Sequence, residues 1–244
     1  MKILFSFILL SVLACSSEKE KTTTPEPANQ NVEKKKKKEN EEKRKLSEMT
    51  IEGDLGTIDH QAVQDKFNES SKVIKDCIYK GIGQDSFVGG NLDFVFRIDL
   101  NGKVKKLSLS STVGNRKIEK CIYNFAKSIQ FVKPKGGEAK VKFPYGFMAS
   151  MEIKKKWGLE KIKQPFQKIK PSLLKCSDGT SQAPSDYQIV FYLLPDAQLG
   201  PMGISTGEEL VSDKFYKCVK AKLKKAKFPD PLGTVAKVTL DVSP

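Results

Sequence analysis

The sequence predicts an α+β protein: two tandem units of the order helix, β-hairpin, helix, strand, each on an antiparallel sheet, behind a disordered N-terminal tether. Three observations carry this. First, "KCIYNFAKSIQFVKP" (120–134) and "KCVKAKLKKAKFPDP" (217–231) align without a gap on Cys121 and Cys218, which also places Phe131 with Phe228, Pro134 with Pro231 and Val141 with Val238. A repeat of this length means two similar units of about 80 residues. Second, alternating apolar residues flank Asn101-Gly102, the signature of a hairpin. Third, the chain before Met49 has almost no apolar side chains beyond its first fifteen residues, so it cannot offset the entropy of becoming ordered.

Taken in order, Met1–Ala14 reads as an export signal: Lys2, an apolar run from Ile3 to Leu10, then small residues. The run is too short to stay in a bilayer as a spanning helix. Val12-Leu13-Ala14-Cys15 resembles the bacterial lipobox, which implies cleavage before Cys15 and a diacylated cysteine as the anchor. Residues 15–48 are then a lipidated cysteine and a charged linker, with a root-mean-square span of roughly 30 Å. Lys34–Lys38 looks like a nucleic-acid or anionic-lipid patch, but Glu33, Glu39, Glu41 and Glu42 flank it, and an exported protein seldom meets nucleic acid.

The first unit spans 59–150. Val63, Phe67, Ile74 and Ile78 recur at helical spacing, predicting a helix from Asp59 to Tyr79 that stops at Gly81 and Gly83. Leu92, Phe94, Phe96 and Ile98 alternate before the turn, and Val104, Leu107 and Leu109 follow it. Ile118, Cys121, Ile122 and Phe125 share one stripe of a second helix, Asn115–Gln130, and Val141, Phe143, Tyr145 and Phe147 alternate in a third strand. Residues 151–166 are expected to form a linker helix limited by Pro165, with Trp157 as a packing residue. The second unit, 167–244, repeats the order: "PSLLKC" ends a helix, "DYQIVFYLLP" and "QLGPMGIS" are hairpin strands, Glu208–Ala226 is a helix, and "TVAKVTLDV" closes the sheet.

With Cys15 assigned to lipid, four cysteines remain, and an even set in an exported protein points to disulfides. Four cysteines allow three pairings. The repeat favours Cys77 with Cys121 and Cys176 with Cys218, separated by 44 and 42 residues. A metal site is the competing reading, but there is no C-x-x-C and His60 is the lone histidine.

Most of the formal charge of +14 lies in the folded part, where residues 49–244 hold thirty-two basic against twenty-one acidic residues. Residues 16–48 hold ten basic and eight acidic residues, whereas Asn101–Ser150 alone holds eleven basic residues against Glu119 and Glu138. Such a field favours acidic partners.

The order of Cys77, "NLDFVFRI", "DLNGKV", "LSLSST", Cys121, "FVKP" and "AKVKFPYGF" resembles the AgmX/PglI C-terminal domain, a relative of the TonB C-terminal fold, over about Lys72–Met148. The second unit shares Cys218, Phe228, Pro231 and the last strand, but its turn is "LPDAQL". The resemblance implies a non-enzymatic module that binds other envelope proteins, in part by adding a partner strand to a sheet edge. The edges it implies are Val141–Phe147 and Val235–Val242, with Val141, Phe143, Tyr145, Val235, Val238 and Leu240 as contacts. Energy-coupled members carry a membrane-spanning helix where this chain has a lipobox-like sequence, which argues against force transmission.

No catalytic constellation is legible. His60 has no partner, Asp85, Asp93 and Asp99 share no spacing, and Gly89-Gly90 does not lead a strand into a phosphate-binding helix, so no enzyme, cofactor or metal is expected. The expected function is that of an envelope lipoprotein, sorted to the outer membrane, binding a protein partner. The alternative is a surface-exposed adhesin whose basic surface holds acidic polymers or host components.

Overall fold

Asp59 opens the first helix because its carboxylate accepts a hydrogen bond from the Ala62 amide at 2.7 Å. This structure is a computed structural model; it describes residues 50–52 (backbone only), 56–151, 155–177, 179 and 184–244. The stretches expected to be a signal peptide, a lipidated Cys15 and a charged linker lie outside the described residues. Helix α1 (His60–Ile82) buries Val63, Phe67, Ser70, Ile74, Cys77 and Ile78. It outruns the expected stop. Gly81 is helical and a packing glycine: a Cβ there would come 2.3 Å from Ile118 Cγ1. Termination falls to Gly83, at φ +54°, whose amide bonds back to the Tyr79 carbonyl.

Strands β2 (Gly90–Ile98) and β3 (Val104–Ser111) form the expected hairpin. Asp99 Oδ1 accepts from the amides of Asn101 and Lys103, and Gly102 takes φ +80°. Helix α2 (Arg116–Lys127) is capped by Asn115, which accepts from Lys117 and Ile118. Strand β4 (Ala139–Phe147) pairs antiparallel with β2, and the short strand β1 (Thr50–Glu52) pairs with β4 at Lys140–Lys142. The first sheet therefore runs β1-β4-β2-β3.

The second half has the same element order. After β5 (Lys155–Trp157) come α3 (Leu159–Leu173), β6 (Tyr187–Leu193), β7 (Leu199–Ser205), α4 (Asp213–Lys225) and β8 (Ala236–Val242), in a sheet of order β5-β8-β6-β7. Here β5 is parallel to β8, so this sheet is mixed, whereas the first is antiparallel throughout. The architecture is α+β, as expected.

Three differences from the sequence reading have physical causes. Residues 151–166 are not a separate linker helix: Lys155–Trp157 is a strand, and one helix continues past Pro165 to Leu173. The chain kinks at Ile162 (φ −128°, ψ 17°), so Pro165 falls in the first turn of the main helical run, where its missing amide is not required. Helix α4 begins at Asp213 rather than Glu208, capped by Ser212, because residues 206–208 instead run beside β3. On α2 the buried stripe is rotated: Glu119 and Tyr123 are buried, while Cys121 is exposed and Phe125 half-buried. The second half covers that side of the helix.

Each half has its own core. Phe67, Phe96 and Phe131 cluster in the first with centroids 5.4–5.7 Å apart, and Phe191 meets Phe228 in the second at 5.3 Å. Trp157 is half-buried against the second core. Disulfides Cys77–Cys121 and Cys176–Cys218, with Cα atoms 5.6 and 5.7 Å apart, tie α1 to α2 and the end of α3 to α4. The pairing is the one the repeat favours.

Cleaved under non-reducing conditions, the protein should yield peptides joined only as 77–121 and 176–218; a 77–176 link would contradict the fold. Replacing Cys176 and Cys218 by serine should lower unfolding stability by up to about 4 kcal/mol in urea titrations without changing the circular dichroism spectrum.

Candidate functional site

The expected edge strands are not outer strands. β4 and β8 lie inside their sheets because β1 and β5, too short to read from periodicity, pair along their first residues. Val141, Val238 and Leu240 are buried core residues. Phe143 is half-buried and stacks on Phe67 at 3.6 Å, and Tyr145 and Val235 are half-buried. Among the described residues, Ala139 and Phe143–Phe147 of β4 and Thr239–Val242 of β8 have no strand paired on their outer side. The edge of β3 is covered: the Leu109 amide donates to the Glu208 carbonyl at 2.9 Å, and the Ser111 amide to Ser205 Oγ at 3.1 Å.

The two halves meet through a polar joint. β6 is buried on both faces. Ile189, Phe191 and Leu193 enter the second core, while Tyr192 turns to the first, 5.3 Å from Phe87. Its hydroxyl donates to the Val113 carbonyl at 2.8 Å, and burial pushes it up to about 12. Gly114, at φ +69°, lets the chain pass against Val190, whose Cγ1 would lie 2.8 Å from an added Cβ. Lys237 Nζ donates to the Gly89 carbonyl at 2.7 Å, and burial lowers it to about 8.

Helix α2 sends two buried ionisable side chains into this joint. Arg116 donates to the Val211 carbonyl at 2.6 Å and to Asp213 Oδ1 at 3.0 Å and lies over the Tyr216 ring at 5.3 Å, while Nε and its other terminal nitrogen have no hydrogen-bond partner among the described residues. Glu119 accepts from Ser111 Oγ at 2.7 Å, and its Oε2 is unpaired. It fits only because residue 203 is glycine, where a Cβ would stand 2.2 Å from Oε1. Burial pushes the Glu119 carboxyl up against the opposing pull of Ser111 and Arg116. Asp213 is held down at about 2 by hydrogen bonds from Lys120 and Arg116.

Beside this joint the helix-free face of the first sheet forms a groove of about 740 Å³. Its floor is Val95 and Arg97 of β2, Lys106 and Ser108 of β3, and Lys140 and Lys142 of β4; Lys105 and the segment Gly207–Glu209 form its walls. Strand register explains the charge. Lys140 pairs with Arg97, and Arg97 with Lys106, so three cations stand in one row across three strands. Like charges directly opposite destabilise a sheet. Here Glu138 lies against Arg97 and Lys105, and Glu208 against Lys106 at 2.7 Å. Lys106 lowers the Glu208 carboxyl. These ion pairs are exposed and exchange readily for other anions.

The sequence reading missed Arg116, Glu119, Tyr192 and the cation row. The period-two placement of Arg97, Lys106, Lys140 and Lys142 signals an outward face, but only register puts them side by side. Among the described residues no group of three or more histidine, cysteine or acidic side chains could hold a metal, and no helix is long and apolar enough to cross a membrane.

The joint sets a pH dependence of definite sign. Glu119 is raised above its ordinary value of 4.5, so its contribution to stability is complete below that value and is lost as pH rises through the raised one. Asp213 acts oppositely, contributing above 3.8 and losing its contribution as pH falls through about 2. Glu119→Gln should therefore gain thermal stability relative to wild type at pH 8 compared with pH 4.5. Gly203→Ala should cost about 1–3 kcal/mol with Glu119 present and much less beside Glu119→Ala; equal costs in both backgrounds would show that the two residues do not share one space. Comparison with protein-family models, curated proteins and solved structures returns no match.

Proposed function

We propose that this chain is a non-enzymatic, lipid-anchored envelope protein whose two halves are TonB C-terminal-like units, and that it binds the acidic segment of a protein partner in the groove on the first sheet. The observation that carries this is the cross-strand row of Lys140, Arg97 and Lys106. Neighbouring strands lie about 4.8 Å apart, so an extended acidic chain crossing the sheet meets successive cations. Arg97 adds planar, bidentate recognition of carboxylates. In the free protein Glu138 lies against Arg97 and Glu208 against Lys106, and an acidic ligand competes with both carboxylates. The TonB-like reading is supported by the shared helix, hairpin, helix, strand order and by the disulfide that links the helices in each half. Anchoring rests on the lipobox-like sequence before Cys15.

A photo-crosslinking amino acid at Ser108, on the groove floor, should capture one dominant protein in cells. Arg97→Glu combined with Lys106→Glu should abolish that product while leaving the protein folded. Capture of polysaccharide instead, together with digestion of the folded part by protease added to intact cells, would favour the acidic-polymer adhesin.

A further inference from the structure

The strongest charge asymmetry outside the groove lies on the helical layer of the second half. α3 and α4 together carry ten lysines, no arginine and two carboxylates. Both pack on one face of their sheet, turning Ile162, Phe166 and Leu173, and Phe215, Val219 and Leu223, into the same core. Lys161, Lys168 and Lys175 recur every seven residues along and just beyond α3, and Lys217 and Lys224 do so along α4; all five are exposed. Seven residues is close to two helical turns, so Lys217 and Lys224 share the side of α4 that faces away from the core, as Lys168 does on α3, while Lys161 stands before the kink at Ile162 and Lys175 just past the last turn. The two carboxylates sit at the helix starts and are already engaged: Glu160 accepts from the Gly158 amide, and Asp213 from Arg116 and Lys120.

We propose that this layer is a docking surface for an anionic membrane, occupied by acidic phospholipid headgroups. Exposed lysines on flexible stems, with no arginine fork to select a fixed geometry, suit a plane of mobile headgroups that move to meet each charge. The groove presents the opposite case, with guanidinium and ammonium groups on a rigid sheet. Lysines close to an acidic bilayer act additively within a Debye length, about 10 Å at 0.1 M salt. A chain anchored through Cys15 would hold the layer within reach of the bilayer; that much rests on the lipid-anchor reading, whereas the surface itself does not.

The test uses the full chain with Cys15→Ser, so that no acyl chain contributes, in cosedimentation with phosphatidylglycerol-containing and with purely phosphatidylcholine vesicles. The first should bind at 50 mM salt and release at 500 mM, and the second should not bind. Lys161→Glu, Lys168→Glu, Lys217→Glu and Lys224→Glu together should lower the partition coefficient at least about tenfold. Arg97→Glu with Lys106→Glu should leave it within about twofold while abolishing the groove crosslink, which separates failure here from failure of the groove reading. Retained binding in the helix variant, equal loss in both variants, or capture by this layer of soluble polyglutamate but not of vesicles would each overturn the proposal.

Discussion

The two-sided burial of β6 is the constraint on which the rest depends. A strand in a small sheet with helices on one side ordinarily presents its other side to water, and its residues alternate accordingly. In β6, Val190 and Tyr192 are as buried as Ile189, Phe191 and Leu193, because the first half closes over the second sheet where its own helices do not. The Tyr192 hydroxyl then needs an acceptor, which the Val113 carbonyl supplies. The groove follows from the same contact. Its floor belongs to the first sheet, but the wall from Gly207 to Glu209 belongs to the second half and is held against β3 by the Leu109 amide. The described residues belong to one compact unit.

This joint places charged groups where burial is costly. A buried arginine and a buried carboxylate on adjacent turns of α2, each with unpaired atoms, carry a desolvation penalty that a hydrophobic pair would avoid. What the polar groups supply is position. Arg116 reaches both the Val211 carbonyl and Asp213, at the start of α4, and Glu119 fills the space left by Gly203 on β7, so α2 meets the second half at two points with little freedom to slide. The disulfides act within each half and leave this alignment to the joint.

Much of the fold was legible because local chemistry dictated it. The Asn101-Gly102 turn, the alternation of Phe94, Phe96 and Ile98, and the duplicated Cys, Phe and Pro positions each have a short-range cause, and the disulfide pairing followed from the duplication. What stayed hidden depends on the other half of the molecule. Glu119 reads as an exposed helix residue until Gly203 and Ser111 enclose it. Tyr192 lies in "DYQIVFYLLP", read only as a hairpin strand, and nothing within that stretch says that the first half covers it. β1 and β5, three residues each, are too short to carry a period, and missing them made β4 and β8 look like edges. The cations of the groove were visible as residues but not as a row, since register between strands far apart in sequence is set by the whole sheet. In the second hairpin, Asp196 and Ala197 adopt φ +61° and +55° without glycine, so a turn weakly marked in sequence is held by the strands around it.

The claim that the two sulfur-clamped halves behave as one body can be measured directly. Trp157, the single tryptophan, reports on the second half, whereas far-ultraviolet circular dichroism reports on both. In urea with the disulfides intact, the two signals should fall along one transition with the same midpoint, and Tyr192→Phe with Glu119→Ala should split it. Two separate transitions in the wild-type chain would mean that the halves unfold independently and that the joint does not hold the groove together.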